Sequence, residues 1–205
     1  MGEKSLTRAI SNRYRRRHVH WVGLACSLAM LLNGCNSSTQ PAYQDKQGFR
    51  FTPPPGWVER ARDDALPAKS GHRQPDLPLP KLAGPGGTVR EHLLVRYDRL
   101  TAGNLAWLRV TVADLPTSTP LMAYLSSRSP GSNWKRESEA DGLEVSGLPA
   151  ARIAFLGRWS NRDYICETVG VRQGERVYII TASFPASDGA AREQVRNSVV
   201  DATWN

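Results

Sequence analysis

The stretch VYIITASF, residues 177–184, is apolar on both of the faces that a β-strand would present. Val177 and Ile179 would lie on one side of such a strand, and Tyr178 and Ile180 would lie on the other. A strand with two apolar faces is buried from both sides. The stretch therefore predicts the centre of a β-sheet that has a covering layer on each face.

Other strand patterns come before this stretch. Residues 151–159 (ARIAFLGRW) and 164–171 (YICETVGV) are separated by SNRD, and RQGE separates the second of them from residues 177–184. Linkers this short between strand patterns are typical of hairpin turns. Earlier in the chain, HLLVRYDRL from His92 and LAWLRVTVADL from Leu105, split by TAGN, predict an antiparallel pair of strands.

Helices are predicted to cover the sheet. Ser187 or Asp188 can cap a C-terminal helix, and Trp204 is expected to close its end. The apolar side of this helix repeats at helical spacing in Ala191, Val195, Val199 and Ala202. A shorter helix is predicted after the N-cap pair Thr119 and Pro120. The predicted fold class is α+β, an antiparallel β-sheet flanked by helices.

The segment before the paired strands contains a short strand and a long loop. Phe49 and Phe51 alternate with polar residues in GFRFTPPPGW, which predicts a strand with one buried face. Residues 58–89 are rich in proline and glycine and have little periodicity. They predict a long surface loop, which is either decoration or a functional element.

Two stretches carry a resemblance to a known fold family. GFRFTPPPGW and the final VYIITASFPASDGAAREQVRNSVVDATW resemble the Mog1/PsbP-like superfamily, and the matching residues are Phe49, Phe51, Pro54 or Pro55, Trp57, Phe184 and Trp204. The resemblance implies an α/β/α sandwich over residues 48–205. Members of this superfamily look like non-catalytic partners of other proteins. The resemblance therefore implies a protein-binding or assembly role, with no catalytic residues and no cofactor to carry over.

Residues 1–34 have the parts of an export signal. A basic region ends at RRRHVH, and an apolar core, WVGLACSLAMLL, occupies residues 21–32. Crossing a bilayer as a helix takes about 20 apolar residues, so this shorter core fits a signal peptide better than a permanent anchor. An uncleaved signal anchor, or a soluble protein with an apolar N-terminal helix, is the alternative.

The end of this segment, LNGC, resembles the lipobox of bacterial lipoproteins. The resemblance implies that Leu32 and Gly34 are recognised for cleavage, and that Cys35 carries acyl chains such as palmitate and begins the mature protein. Several chains on one cysteine would make the membrane attachment durable, because one chain binds only marginally. Residues 35–47 are then a flexible tether. Asn36, which is not an aspartate, favours the outer membrane over the inner, on the periplasmic side.

The basic charge of the chain is concentrated in residues 1–34, which we call the leader. The net charge is +8, but residues 1–34 hold six of the 27 basic side chains and one of the 19 acidic ones. The rest of the chain keeps 21 basic and 18 acidic side chains, a net charge of +3. A nucleic-acid partner is therefore not expected.

Few residues outside the leader are candidates for metal binding or catalysis. Neither His72 nor His92 has a Cys or a second His nearby in the sequence, so no metal site is expected. Cys166 lies inside a strand pattern, where a buried, inert thiol is the usual occupant. The leading hypothesis is a non-catalytic, lipid-anchored envelope protein that binds another protein. The alternatives are a hydrolase or thiol enzyme that uses Cys166 with His92, and a small-ligand-binding lipoprotein with an apolar pocket beneath residues 58–89.

Overall fold

An antiparallel β-sheet dominates the computed structural model, which describes residues 41–60, 82–84, 87–101 and 104–205. The strands of the described residues are β1 (Tyr43–Gln44), β2 (Phe49–Phe51), β3 (Val58–Glu59), β4 (Leu82–Gly84), β5 (Gly87–Val89), β6 (Glu91–Thr101), β7 (Asn104–Asp114), β8 (Trp134–Arg136), β9 (Asp141–Val145), β10 (Leu148–Trp159), β11 (Arg162–Gln173), β12 (Arg176–Pro185) and β13 (Thr203–Trp204). The helices there are α1 (Leu121–Ser126) and α2 (Gly189–Val200).

The main sheet has the strand order β3-β6-β7-β12-β11-β10-β8, with β9 also paired to β10. The pairs β6–β7, β10–β11 and β11–β12 are antiparallel neighbours, so these sequence predictions are confirmed. Ser160 and Asn161 connect β10 to β11, both with positive φ, which suits a two-residue hairpin turn of twisted strands. In addition, β1, β2 and β13 form a small sheet, and β4 pairs with β5. Tyr43 and Gln44 pair with β2, so the predicted tether over residues 35–47 is wrong at its C-terminal end, where the chain already belongs to the domain.

Strand β12 is buried along almost its whole length, as its two apolar faces predict. Ile180 packs in one core with Val110 and Val169, its partners on β7 and β11. Ile179 packs in a second core on the opposite side of the sheet. We call the side of Ile180 the α2 face and the side of Ile179 the α1 face.

The α2 face is covered by α2 together with the small sheet. Asp188 caps the helix, since its Oδ1 accepts a hydrogen bond from the backbone N–H of Ala191 at 3.0 Å. Phe49 of β2 stacks on Tyr178 with ring centroids 4.4 Å apart. The prediction that Trp204 closes the helix is wrong: α2 ends at Val200, and Trp204 pairs with Phe49 in β13.

The α1 face is covered in part by α1. Leu125 is fully buried there, and Tyr124 is 5% exposed. The N-cap is Pro120, one residue after the expected Thr119. Six residues of helix cover less of this face than the predicted sandwich requires, so in the described residues the flanking by helices is minor. Among the described residues, neither α1 nor α2 has the length and hydrophobicity of a membrane-spanning helix.

The predicted loop at residues 58–89 is wrong at both of its ends. Val58 pairs with Asp98, and the backbone N–H of Arg60 donates to the Arg96 carbonyl at 2.8 Å, so β3 extends the sheet beyond β6. At the other end, β4 and β5 form a hairpin. An unpaired edge of β6 offers backbone hydrogen bonds to any extended segment, whatever its side-chain pattern. Residues 61–81 lie outside the described part of the chain.

Gly157 in β10 is a position where the fold has no room for a side chain. It is the register partner of Trp134, and a Cβ added to Gly157 would overlap the Trp134 ring. Gly142 in β9 is a matched strand glycine whose Cβ would meet nothing within 4 Å.

We expect Gly157→Ala to lower the free energy of unfolding by about 1–3 kcal/mol, because the tryptophan must move out of its packed position. We expect Gly142→Ala to change it by no more than about 0.5 kcal/mol. Urea denaturation followed by tryptophan fluorescence measures both values. Equal stability of the two variants would show that Trp134 does not pack on Gly157.

Candidate functional site

A cluster of buried polar side chains lies on the α1 face. Its centre is Glu91, whose side chain is completely buried. A register shift between Leu93 and Val95 places Leu94 out of the ladder with β7. Strict alternation would put Glu91 and Val95 on one face, but this β-bulge puts Glu91 on the α1 face while Val95 packs on the α2 face.

The Glu91 carboxylate joins elements that are distant in sequence. Its Oε1 accepts a hydrogen bond from the Tyr124 hydroxyl of α1 at 2.8 Å. Its Oε2 accepts one from the Thr111 hydroxyl of β7 at 3.0 Å and one from Arg128 Nη2 at 2.9 Å. Arg128 follows α1 directly, and its side chain is 7% exposed. A buried carboxylate of this kind is tolerated because charged and neutral donors satisfy it.

Further positive charge lies on the same face. The guanidinium carbon of Arg109 lies 5.2 Å from the centre of the Trp107 ring, and that of Arg96 lies 5.9 Å from it. Burial lowers the pKa of Arg109, and the positive charge of Arg128 lowers it further. Arg96 Nε also pairs with Asp98 at 3.0 Å. The α1 face thus brings several guanidinium groups together beside a tryptophan.

Cys166 lies on this face and is 1% exposed. Burial raises the pKa of its thiol to about 12, although the charges of Arg109 and Arg128 oppose the shift. Beside it, the hydroxyls of Thr168 and Thr181 lie 3.3 Å apart and form a buried hydrogen bond. The expectation of a buried thiol is confirmed, and the raised pKa keeps that thiol protonated and unreactive at neutral pH.

The structure does not bring Cys166 and His92 together. His92 is exposed and is the register partner of Val112, which packs on the α2 face, whereas Cys166 packs on the α1 face. Cys166 also lies three strands away and five residues along the ladder, or about 14 Å across and about 17 Å along the sheet. The hypothesis that His92 activates Cys166 is therefore wrong, since a base must lie within hydrogen-bond reach of the thiol.

A second ionic cluster lies on the α2 face. Glu167 of β11 is buried and accepts hydrogen bonds from Arg192 Nε at 2.8 Å and Arg196 Nε at 2.7 Å, both from α2. Arg192 also pairs with Glu137 at 2.7 Å. Next to this cluster is a small cavity of about 50 Å³, lined by Leu143, Arg152, Glu167, Val169, Ile180, Val195, Arg196, Val199 and Val200. The cluster fixes α2 to the sheet, and the cavity has room for little more than water.

Some predicted site residues cannot be placed. The lipobox residues Leu32, Gly34 and Cys35 lie outside the described residues, as do His72 and most of the predicted proline-rich loop. In the described ranges, no three His, Cys, Asp or Glu side chains come together as a metal site would require. The sequence reasoning missed Glu91 and Arg128. The one signal for Glu91 is the run HLLV, which breaks the alternation of a half-buried strand and indicates a bulge, and the sequence around Arg128 gives none.

Comparison with known proteins identifies the fold. No model of a protein family matches the chain, and no curated protein matches it in sequence. The structure of cyanobacterial PsbP (CyanoP) from Synechocystis sp. PCC 6803 is similar with a TM-score of 0.50 and 12% identity, over 84% of this chain and 96% of that one. A Pseudomonas aeruginosa protein of unknown function is similar with a TM-score of 0.39 and 12% identity, over 69% and 91%. The chain has a PsbP-like fold. A sequence identity of 12% shows the fold alone and carries no information about function.

The buried position of Cys166 can be tested by alkylation. We expect iodoacetamide at pH 8 to leave Cys166 unmodified in the native protein and to modify it only as urea unfolds the domain, because the raised pKa and the burial both suppress attack. Mass spectrometry of the peptide that contains Cys166 distinguishes it from the cysteines of the leader. Rapid modification of the native protein would contradict this and would favour a thiol enzyme.

The same thiol affects stability at high pH. Its pKa in the folded chain, about 12, lies above its ordinary value of 9.0. Ionisation therefore favours the unfolded chain, and the stabilisation present below pH 9 is lost as pH rises towards 12. Cys166→Ala is expected to reduce the fall in the free energy of unfolding between pH 9 and pH 12, and urea denaturation at a series of pH values measures this fall.

The contribution of the buried Glu91–Arg128 ion pair to stability can be tested by comparing a single with a double variant. We expect Arg128→Met to lower the free energy of unfolding by about 3–5 kcal/mol, because it leaves the Glu91 carboxylate buried without its counter-charge. The double variant Glu91→Gln/Arg128→Met should lose less than this single variant. The more exposed pair of Arg152 and Asp141 is the control, and Arg152→Met should cost no more than about 1 kcal/mol. A double variant as unstable as Arg128→Met would contradict the buried-charge account.

Proposed function

We propose that the chain is a non-catalytic, lipid-anchored protein of the cell envelope that binds another protein or stabilises an assembly. The observation that carries this proposal is the N-terminal order of a basic region, a 12-residue apolar core and the stretch LNGC. In this proposal Leu32 and Gly34 direct cleavage, Cys35 carries the acyl chains, and residues 1–34 are removed. Asn36 favours a position on the periplasmic side of the outer membrane.

The anchor would hold the domain close to the membrane. Pro41 is the first described residue, six residues after Cys35. An extended chain spans at most about 3.6 Å per residue, so the domain could begin no more than about 22 Å from the lipidated cysteine. A protein held at this distance meets other proteins of the same membrane at high local concentration, which supports a binding or assembly role.

The chemistry of the domain favours binding over catalysis. Cys166 is buried, has a raised pKa and lies on the opposite face of the sheet from His92. The Glu91 carboxylate is occupied by donors from Tyr124, Thr111 and Arg128, and so has an evident structural role. A hydrolase or thiol enzyme that uses Cys166 would need the thiol exposed beside a base.

Metabolic labelling with an alkyne analogue of palmitate tests the anchor. We expect the wild-type chain to be labelled and cleaved, and Cys35→Ser to be unlabelled and to run as a heavier precursor. Cys26→Ser is the matched control, because it removes another cysteine of the leader but not the one in LNGC. Labelling that persists in Cys35→Ser would refute lipidation at this site.

The binding role has its own measurement on the anchored protein. A photoreactive amino acid at the exposed positions Lys135 and Arg158, near the β8 edge of the sheet, should give discrete heavier adducts in intact cells if a partner meets this edge. The same probe at exposed Asp114, at one end of β7, reports on a different part of the domain. Failure to form an adduct from any of these positions, despite normal anchoring, would count against a stable protein partner.

A further inference from the structure

Arg128 has hydrogen-bond donors that nothing in the described chain satisfies. The residue is 6% exposed, and Nη2 donates to Glu91 at 2.9 Å. The Nε and Nη1 atoms are also buried, and they have no acceptor among the described residues. Burying a donor without a partner loses its hydrogen bonds to water, so native proteins satisfy nearly all such groups. These two N–H groups therefore indicate a bound acceptor.

The charges around Arg128 indicate that this acceptor is an anion. The positive charges of Arg109 and Arg128 repel each other enough to lower the pKa of Arg109, whose burial is the larger cause. Arg109 has further contacts of its own and contributes here through its charge. The Glu91 carboxylate already accepts three hydrogen bonds, including one from Arg128 itself. A second negative group beside Arg128 would reduce the repulsion between the guanidinium groups.

The nearby carboxylate limits how much negative charge the site can take. A monovalent carboxylate adds one negative charge near Glu91, whereas inorganic phosphate adds between one and two on average at neutral pH and is repelled more strongly. The Thr111 hydroxyl already donates to Glu91, and the Thr168 hydroxyl donates to Thr181, so the donors left for an anion are the Nε and Nη1 groups of Arg128. Guanidinium donors bind carboxylates well.

We propose that the α1 face contains a binding site for a small monocarboxylate, whose oxygens accept hydrogen bonds from the Nε or Nη1 group of Arg128. The carboxyl group is the recognised chemistry, and acetate is the smallest probe for it. This site goes beyond the proposed binding of a protein partner and does not depend on lipidation of Cys35.

NMR of arginine side chains in the full chain, kept in detergent, tests the site directly. The Nε–Hε signal of Arg128 is the one that disappears in Arg128→Lys. We expect it to shift in a saturable way as sodium acetate replaces sodium chloride at constant ionic strength. Inorganic phosphate at the same ionic strength should shift it less. A signal that does not respond to acetate, or that responds equally to acetate and phosphate, would refute the carboxylate site.

Variants of the site provide a second test, because one should tighten acetate binding and another should abolish it. Glu91→Gln removes the competing negative charge and should tighten acetate binding by about tenfold or more, measured on the Arg128 signal. Glu91→Gln/Arg128→Met replaces the buried pair with uncharged residues and should abolish the acetate-dependent rise in melting temperature. Arg158→Gln, at a 71% exposed side chain, is the control and should bind acetate like the wild type. An equal rise in melting temperature in all variants would show a general salt effect and overturn the proposal.

Discussion

The burial of β12 on both faces is the constraint on which the rest of the structure depends. Ile179 and Ile180 point to opposite sides of the sheet, and both are almost completely buried. Each side must therefore be covered by apolar groups from other parts of the chain, since exposure of either face would cost roughly 25 cal/mol per Å² of apolar surface. The pairing of β12 with β7 and β11 satisfies its backbone and places it near the centre of the sheet.

The two covering layers differ in character. On the α2 face, aromatic side chains of the small sheet, such as Phe49 on Tyr178, and the apolar side of α2 form a continuous core. The α1 face has a short helix instead, and polar groups lie beside its core. Glu91 connects β6 to α1 and to β7 through Tyr124 and Thr111. Loss of one partner from a buried ionic contact of this kind would leave an unpaired charge in the interior, so these elements depend on one another for stability.

A large part of the fold could be predicted because the sheet's long strands are strongly apolar and joined by short turns. The hairpins of β10 to β12 and the β6–β7 pair follow from local pattern alone, as does a C-terminal helix capped near Asp188. The alternation of Phe49 and Phe51 predicts the short strand β2 correctly, but the other short strands were missed. β8, β9 and β13 are largely polar or partly exposed, and Trp204 looked like a helix end until its pairing with β2 placed it in a strand.

The buried polar cluster was not predictable by the same reasoning. Alternation along β6 places Glu91 on the same side as Val95, and only the bulge at Leu94 separates them. Arg128 follows a predicted helix in a polar stretch, where an arginine is ordinarily exposed. Both residues are brought together by contacts across several strands, and no local pattern encodes such contacts.

By itself, the sequence determined an α+β fold built on an antiparallel sheet, the pairing of the long strands within each hairpin and the helix that covers one face. It did so because hydrophobic periodicity and turn chemistry act over a few neighbouring residues. Only the tertiary structure decided which short segments become edge strands, which face Glu91 occupies, and that Cys166 and His92 lie on opposite faces. These outcomes depend on register and pairing between segments far apart in the chain, and a one-residue shift in register reverses the face of every side chain that follows.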